Sequence, residues 1–423
     1  MCAEPMRYEA PRGMRDFYPE DMSARQAIFD AWRAASALCG FQPYDACVVE
    51  SLELLKRKGG EEIVDQIYAF RDKSDRELAL RPEMTPTLAR MIAARQGALS
   101  FPLKWFAIAQ CFRYERMSRG RKREHYQWNL DIVGADTLQA EAEIIACAAE
   151  ALRRLGLGPA DVVIHLNSRA LLAELLARAG VPADCHAATF LALDKRGKLD
   201  DDAINRMLAE AGLDAAAIAA VWKVMNIHTL AEAAALAGDN SPAVANLQTL
   251  LGLLDNYGLA GLMQFDIGVI RGLGYYTGVV FEAFDRAHKF RAIFGGGRYD
   301  RLLSDLGGAP LPAVGLGFGD VVIAELLADL GKLPAGPPEI ACAVSYMTET
   351  ERLPALRAAR HLRQAGQTVD LALHPEKPKA FFGRVGRGGF REAIFLGPDD
   401  CARGTMRVKH LRDRTERIMP MPG

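Results

Sequence analysis

The chain has 423 residues, half of them hydrophobic and a quarter charged, with 52 Lys and Arg against 53 Asp and Glu. That is ordinary globular composition, long enough for two or three domains, and the near-zero net charge argues against bulk adhesion to nucleic acid while leaving local basic patches open. Eight scattered cysteines with no CxxC pair or metal-ligand spacing argue for reduced thiols and no zinc site. No apolar run reaches membrane-span length, and acids and prolines rather than a signal sequence open the chain, so a cytoplasmic protein without membrane association is expected.

In chain order, the pattern predicts a helix over about Met22–Cys39 and short strands near 42–50, 66–71, 77–81 and 105–115. An amphipathic helix follows over Leu138–Leu155. From about 168 to 255 the text is Ala- and Leu-rich and helical, with almost no strand signal. Strands return between 262 and 330, with glycine clusters at 272–278, 295–297 and 315–319. Gly331–Pro338 reads as a linker. Beyond it, IACAV, QTVDLAL and EAIFLG are apolar strands separated by helical patterns, which predicts a small parallel α/β domain.

The run from Phe112 to Gly134 reads as two strands joined by a basic loop. Arg113 and Glu115, two residues apart, are expected on one face at the end of the first strand. The loop adds Arg116, Arg119, Arg121, Lys122 and Arg123. In the second strand Tyr126, Trp128, Leu130 and Ile132 alternate with Gln127, Asn129 and Asp131. One face is fit for a core, and the other is either a solvated surface or the floor of a site for a zwitterion beside a phosphate.

Four further segments could carry chemistry. In LALRPEMTPTLAR (78–90) a strand delivers Arg81 and Glu83, and Thr85-Pro86 reads as a helix N-cap followed by proline. IRGLGYYTGVVFEAF (270–284) places Arg271, glycines, Tyr275 and Tyr276 before a strand with Glu282; it is either a ligand approach or a glycine-weakened edge strand. In FGGGRYDRLL (294–303) three glycines are expected to open a helix, where Arg298 could serve an anion, although a plain turn reads as well. AVGLGFGDVVIAELL (313–327) feeds glycines into an apolar helix without matching a phosphate-loop pattern. No nucleophile–base arrangement stands out, and His125 is the one histidine close to the basic loop.

Taken together, these segments resemble the class II aminoacyl-tRNA synthetases and, within that class, the histidyl-tRNA synthetase family. The hairpin resembles motif 2, LRPEMTPTLAR the LRPE-x-T segment, RGLGYYTGVVFE the RGLDYY peptide, GGGRYD and 315–327 the approach to motif 3, and PRGMRDFYP the GxRD opening. The resemblance implies an α+β fold: an antiparallel-sheet catalytic domain in two parts (1–167 and 256–330), split by a helical insertion (168–255), and a C-terminal α/β anticodon-binding domain (338–423).

It further implies that L-histidine and ATP form histidyl-adenylate and that the histidyl group passes to tRNA(His), with Mg²⁺ bridging phosphates and no dedicated protein metal site. Arg113 and Arg271 would be catalytic on the α-phosphate, and Glu115 and Arg121 would join Arg113 on ATP. Glu83, Thr85, Gln127, Asp131, Arg271, Tyr275, Tyr276 and Tyr299 would hold histidine. A homodimer is implied as well.

Three departures stand out: Cys47 occupies the motif 1 proline position in PYDACVVE, Gly274 replaces the acid of RGLDYY, and Val322 stands where motif 3 carries an arginine. Arg119, Lys122 or Arg123 would then be the residues to compensate. Residues 376–417 hold 11 Lys and Arg against 6 Asp and Glu, either a solvated face or a tRNA surface. The competing reading from another class is a non-catalytic, histidine-sensing regulatory subunit of ATP phosphoribosyltransferase.

Overall fold

The computed structural model describes residues 8–58, 65–197, 199–238, 240–270, 276–334, 336 and 339–423. The chain forms two compact units, one of residues 1–16 and 24–334 and one of 17–23 and 335–423.

The first unit is built on strands β1 (Gln42–Pro43), β2 (Val49–Ser51), β3 (Ala69–Arg71), β4 (Glu77–Leu80), β5 (Leu103–Phe112), β6 (Glu124–Val133), β7 (Val162–Ser168), β8 (Met263–Phe265), β9 (Val279–Asp285), β10 (Phe294–Arg298) and β11 (Ala313–Gly319). Eight of them form one sheet in the order β1-β5-β6-β11-β10-β9-β7-β8, while β2-β4-β3 make a small second sheet. The large sheet is antiparallel except at its ends, where β1 runs parallel to β5 and β8 to β7. It is the α+β arrangement expected. Among the described residues, six α-helices, from Arg169–Arg178 to Pro242–Asn256, occupy the chain between β7 and β8.

Strand alternation decides which face is core. Trp128, Leu130 and Ile132 of β6 are buried beside Leu316 and Phe318 of β11 and Phe281 of β9. Trp32, from the helix Pro19–Leu38, stacks on Trp128 at 5.9 Å, and the Trp128 indole donates to Ser36 Oγ at 3.0 Å. Both indoles bury a large apolar area, and the bond to Ser36 satisfies the one polar hydrogen of Trp128. The opposite face of the same strands is thereby left to the site.

Several local expectations change. Strand β5 ends at Phe112, so Arg113 and Glu115 lie past it, where the Glu115 amide donates to Arg113 O at 2.7 Å in a tight turn. The helix Thr85–Arg95 has Met84 at its N-cap and makes no side-chain cap bond; Thr85 is already helical. The glycines of 294–298 lie in buried strand β10 instead of opening a helix, and β9 is an interior strand, not an edge.

In the second unit, β12 (Ile340–Tyr346), β13 (Val369–Leu371), β14 (Phe390–Leu396), β15 (Thr405–His410) and β16 (Glu416–Pro420) form a sheet ordered β13-β12-β14-β15-β16. The first three strands are parallel as expected, but β15 and β16 add an antiparallel hairpin. The basic run 404–417 falls on that hairpin. Alternation explains why it was harder to read: Met406 and Val408 are buried while Arg407 between them is exposed.

Candidate active site

Cross-strand register lines up three kinds of residue on the open face of the large sheet. One row runs His165, Glu282, Gly295, Gly317, Asn129; the next runs Asn167, Val280, Gly297, Gly315, Asp131. Glycines from two strands therefore form the middle of a floor, with polar side chains of β6 on one side and Glu282 on the other. The space is used: a Cβ on Gly315 would lie 2.2 Å from Asp131 Oδ1, and one on Gly317 would lie 2.8 Å from Gln127 Nε2. The bare backbone lets the Asp131 and Gln127 side chains lie over it.

Over this floor opens a cleft of about 480 Å³, lined among others by Arg113, Glu115, Arg121, Lys122, His125, Gln127, Glu282, Arg291, Gly295, Gly317 and Val322. Its volume is in the range of small-molecule sites. Arg113 is anchored through Nε to Pro82 O at 2.9 Å, which ties the hairpin to the turn carrying Glu83. Arg121 forms an ion pair with Glu115. The Arg15 guanidinium braces the base of the hairpin, reaching Glu124 at 2.5 Å and Asp320 at 3.0 Å. His125 is kept neutral, its pKa lowered to about 3 by burial and then by the positive charges of Arg113 and Arg15.

The other end of the floor is an acid pocket. Tyr299 donates its hydroxyl to Asp131 Oδ1. Burial raises the Asp131 pKa to about 7, with the Tyr299 bond opposing the rise. Asp131 Oδ2, Asn129 Oδ1 and the Tyr44 hydroxyl are buried without a hydrogen-bond partner among the described residues. Buried polar atoms are rarely left so, and together they describe a place for a polar ligand that donates to Asp131 and Asn129 and can accept from Tyr44. Burial, then the charge of Asp131, pushes the Tyr44 hydroxyl well up, so it stays a donor. Tyr276 packs over Gly297, whose added Cβ would lie 2.8 Å from its ring, and shares an apolar cluster with Tyr299 and Leu88.

The structure brings Arg113, Glu115, Arg121 and Gln127 onto the cleft and places Asp131, Tyr276 and Tyr299 around the acid pocket. Glu83 and Thr85 are buried at the turn after β4, and Phe112 N donates to Arg81 O at 2.9 Å beside them. Arg271 and Tyr275 lie outside the described residues. Arg298, considered for an anion, instead makes a buried two-point pair with Glu141 at 2.6 and 2.7 Å. Of the three loop residues expected to compensate for Val322, Lys122 lines the cleft. Arg119 pairs with Glu325 at 3.3 Å, and Arg123 lies 3.7 Å over the Tyr114 ring. Tyr44 lies in PYDACVVE and His125 beside the basic loop without either being assigned a role from the sequence, and Arg291 carried no motif signal.

The profile of the Histidyl-tRNA synthetase family matches residues 13–319. The chain belongs to the histidyl-tRNA synthetase family. It is 44% identical over 401 residues to the chloroplastic/mitochondrial histidine–tRNA ligase of Arabidopsis thaliana, covering 95% of this chain and 82% of that one. To the histidine–tRNA ligase of Opitutus terrae it is 40% identical over 421 residues, covering 98% and 96%. The fold resembles the crystal structure of histidyl-tRNA synthetase from Nostoc with a TM-score of 0.81 at 23% identity, over 98% and 97% of the two chains. A Bacillus halodurans structure described as an ATP phosphoribosyltransferase regulatory subunit/histidyl-tRNA synthetase gives 0.77 at 23%, over 93% and 99%.

Proposed function

We propose that this chain is a histidine–tRNA ligase, activating L-histidine with ATP and transferring the histidyl group to tRNA(His). The observation that carries the reading is the glycine floor shared by a cationic cleft and a buried acid pocket, in a member of this family. A substrate bearing both an ammonium and a carboxylate would have its ammonium end at Asp131 and its carboxylate toward Arg113.

In the first step a histidine carboxylate oxygen attacks the α-phosphorus, the bond to the bridging oxygen breaks, and pyrophosphate leaves with the electron pair. A carboxylate is already ionised at neutral pH, so no base is required and catalysis is positioning and charge stabilisation. Arg113 holds the α-phosphate, and Arg271 is assigned to the same transition state by the family resemblance. Arg121, oriented by Glu115, engages ATP. Glu83, Thr85, Gln127, Asp131, Tyr275, Tyr276 and Tyr299 hold histidine. In the second step the terminal tRNA hydroxyl attacks the histidyl carbonyl and AMP leaves.

Mg²⁺ would accompany the triphosphate and neutralise its charge. Of the residues lining the cleft, Glu115 and Glu282 are the carboxylates that would help hold it alongside the phosphates. Residues 338–423 bind the anticodon arm through the β15–β16 hairpin, where Arg417 is held by Glu392 at 2.6 Å and Arg407 is exposed. The protein acts in the cytoplasm and as a homodimer, and exposed Val48 and Val49 within the motif 1-like segment support the dimer.

Purified protein should exchange pyrophosphate into ATP only when histidine is present, and Arg113→Ala should lose roughly 100-fold of that exchange. Exchange with another amino acid, or none, would refute the ligase reading. Histidine binding without exchange would instead favour the regulatory-subunit reading, which the fold similarity to the Bacillus halodurans protein keeps in view.

A further inference from the structure

We propose that Arg291 supplies a contact to the β- or γ-phosphate of ATP on the side of the cleft where the helix Asp320–Asp329 offers none. The inference rests on ATP being the substrate of the cleft.

That helix borders the cleft with Val321 and Val322, and its sequence DVVIAELLAD contains no basic residue. Arg113, Arg121 and Lys122, the other lining cations, all come from the β5–β6 connection. Arg291 comes instead from the β9–β10 connection and lines the same cleft with Glu282 and Phe284. In the sheet order, β11 and β10 separate β6 from β9, which is three strand spacings or roughly 14 Å. Cations therefore stand on both sides of the glycine floor, and a polyanion lying across it meets both.

The segment carrying Arg291 is fixed on each side of that residue. Asp285 accepts hydrogen bonds from the amides of Lys289 and Phe290, both at 2.9 Å, and Ile293 N donates to Ala283 O at 2.7 Å. Lys289 forms an ion pair with Asp329, at the far end of the helix that holds Val322. The Phe290 ring lies 4.7 Å under the Arg119 guanidinium, whose own carboxylate partner is Glu325 of that helix. Arg291 itself is exposed and lines the cleft. A guanidinium on a fixed backbone can meet phosphate oxygens at two points with little ordering cost.

Calorimetric affinities for ATP and AMP, in wild type, Arg291→Ala and Arg291→Lys, test the proposal, with thermal midpoints confirming folding. Arg291→Ala should weaken ATP about tenfold or more while changing AMP less than about twofold, and Arg291→Lys should recover part of the loss. Unchanged ATP affinity would overturn the proposal, and so would equal weakening of ATP and AMP, which would place the contact on the nucleoside or the α-phosphate that both share. Because the readout is binding, it stands apart from exchange. A wild type that binds ATP but does not exchange sinks the ligase reading and leaves this comparison intact; a wild type that binds no ATP sinks both.

Discussion

Tyr299 donates its hydroxyl hydrogen bond to Asp131 from the end of a glycine strand, and Asp131 keeps its second oxygen buried with no partner among the described residues. The pair is an acid held short of full ionisation: burial lifts it to about 7, and the Tyr299 bond pulls part of the way back. A substrate ammonium arriving at Oδ2 would supply the missing partner and favour the charged form.

The pH dependence follows with a definite sign. The ordinary value is 3.8 and the folded value about 7, so the folded state holds the proton more tightly than the unfolded one. Below pH 4 Asp131 is neutral in both states and costs nothing. As pH rises past 4 the unfolded chain ionises first, and folding loses on the order of 1–4 kcal/mol by pH 8. Urea denaturation at pH 5.5 and 8 should show that Asp131→Asn removes this decline, while histidine binding is lost. Parallel pH profiles for the two proteins would contradict the assignment.

The glycine floor makes a second, sterically defined prediction. Gly315→Ala would place a Cβ 2.2 Å from Asp131 Oδ1 and 2.8 Å from Leu130 O, whereas a Cβ on Gly319 meets nothing within 4 Å. Gly315→Ala should therefore cost about 1–3 kcal/mol and weaken histidine at least tenfold by displacing the carboxylate. Gly319→Ala should leave stability within about 0.5 kcal/mol of wild type. Denaturation midpoints and histidine titrations of the two variants check this, and equal effects would sink it.

These relationships were legible in the sequence to different depths. The alternation from Tyr126 to Ile132 separates core from site because a strand has period two and one face must pack on Trp32. The same rule cannot assign Gly295 and Gly317, which have no side chain to alternate. Only their register against Glu282 and Asn129 shows them to be a floor. Thr85 was misjudged because a threonine before proline fits an N-cap and a first-turn position equally well. Arg291 was invisible because it sits in a connection, where position is fixed by Asp285 nearby and by the Lys289–Asp329 pair across the sequence. Arg298 illustrates the reverse error, in which a conspicuous cation beside glycines proves structural.

Arg298 reaches Glu141 through Nε at 2.6 Å and Nη2 at 2.7 Å, and Nη2 also donates to Thr137 O at 3.2 Å. Glu141 is fully buried in the helix Leu138–Arg154 and Arg298 is nearly so, so the pair fastens the end of β10 to that helix with little solvent screening. Removing one partner strands a charge in the interior, and Arg298→Ala or Glu141→Ala should each cost about 3–5 kcal/mol. Replacing both by methionine removes the charges together and should cost much less than either single change. Urea denaturation of the three variants decides the matter. If Arg298→Ala instead kept wild-type stability and lost ATP affinity, Arg298 would be an anion ligand after all, and the tether would have to be found elsewhere.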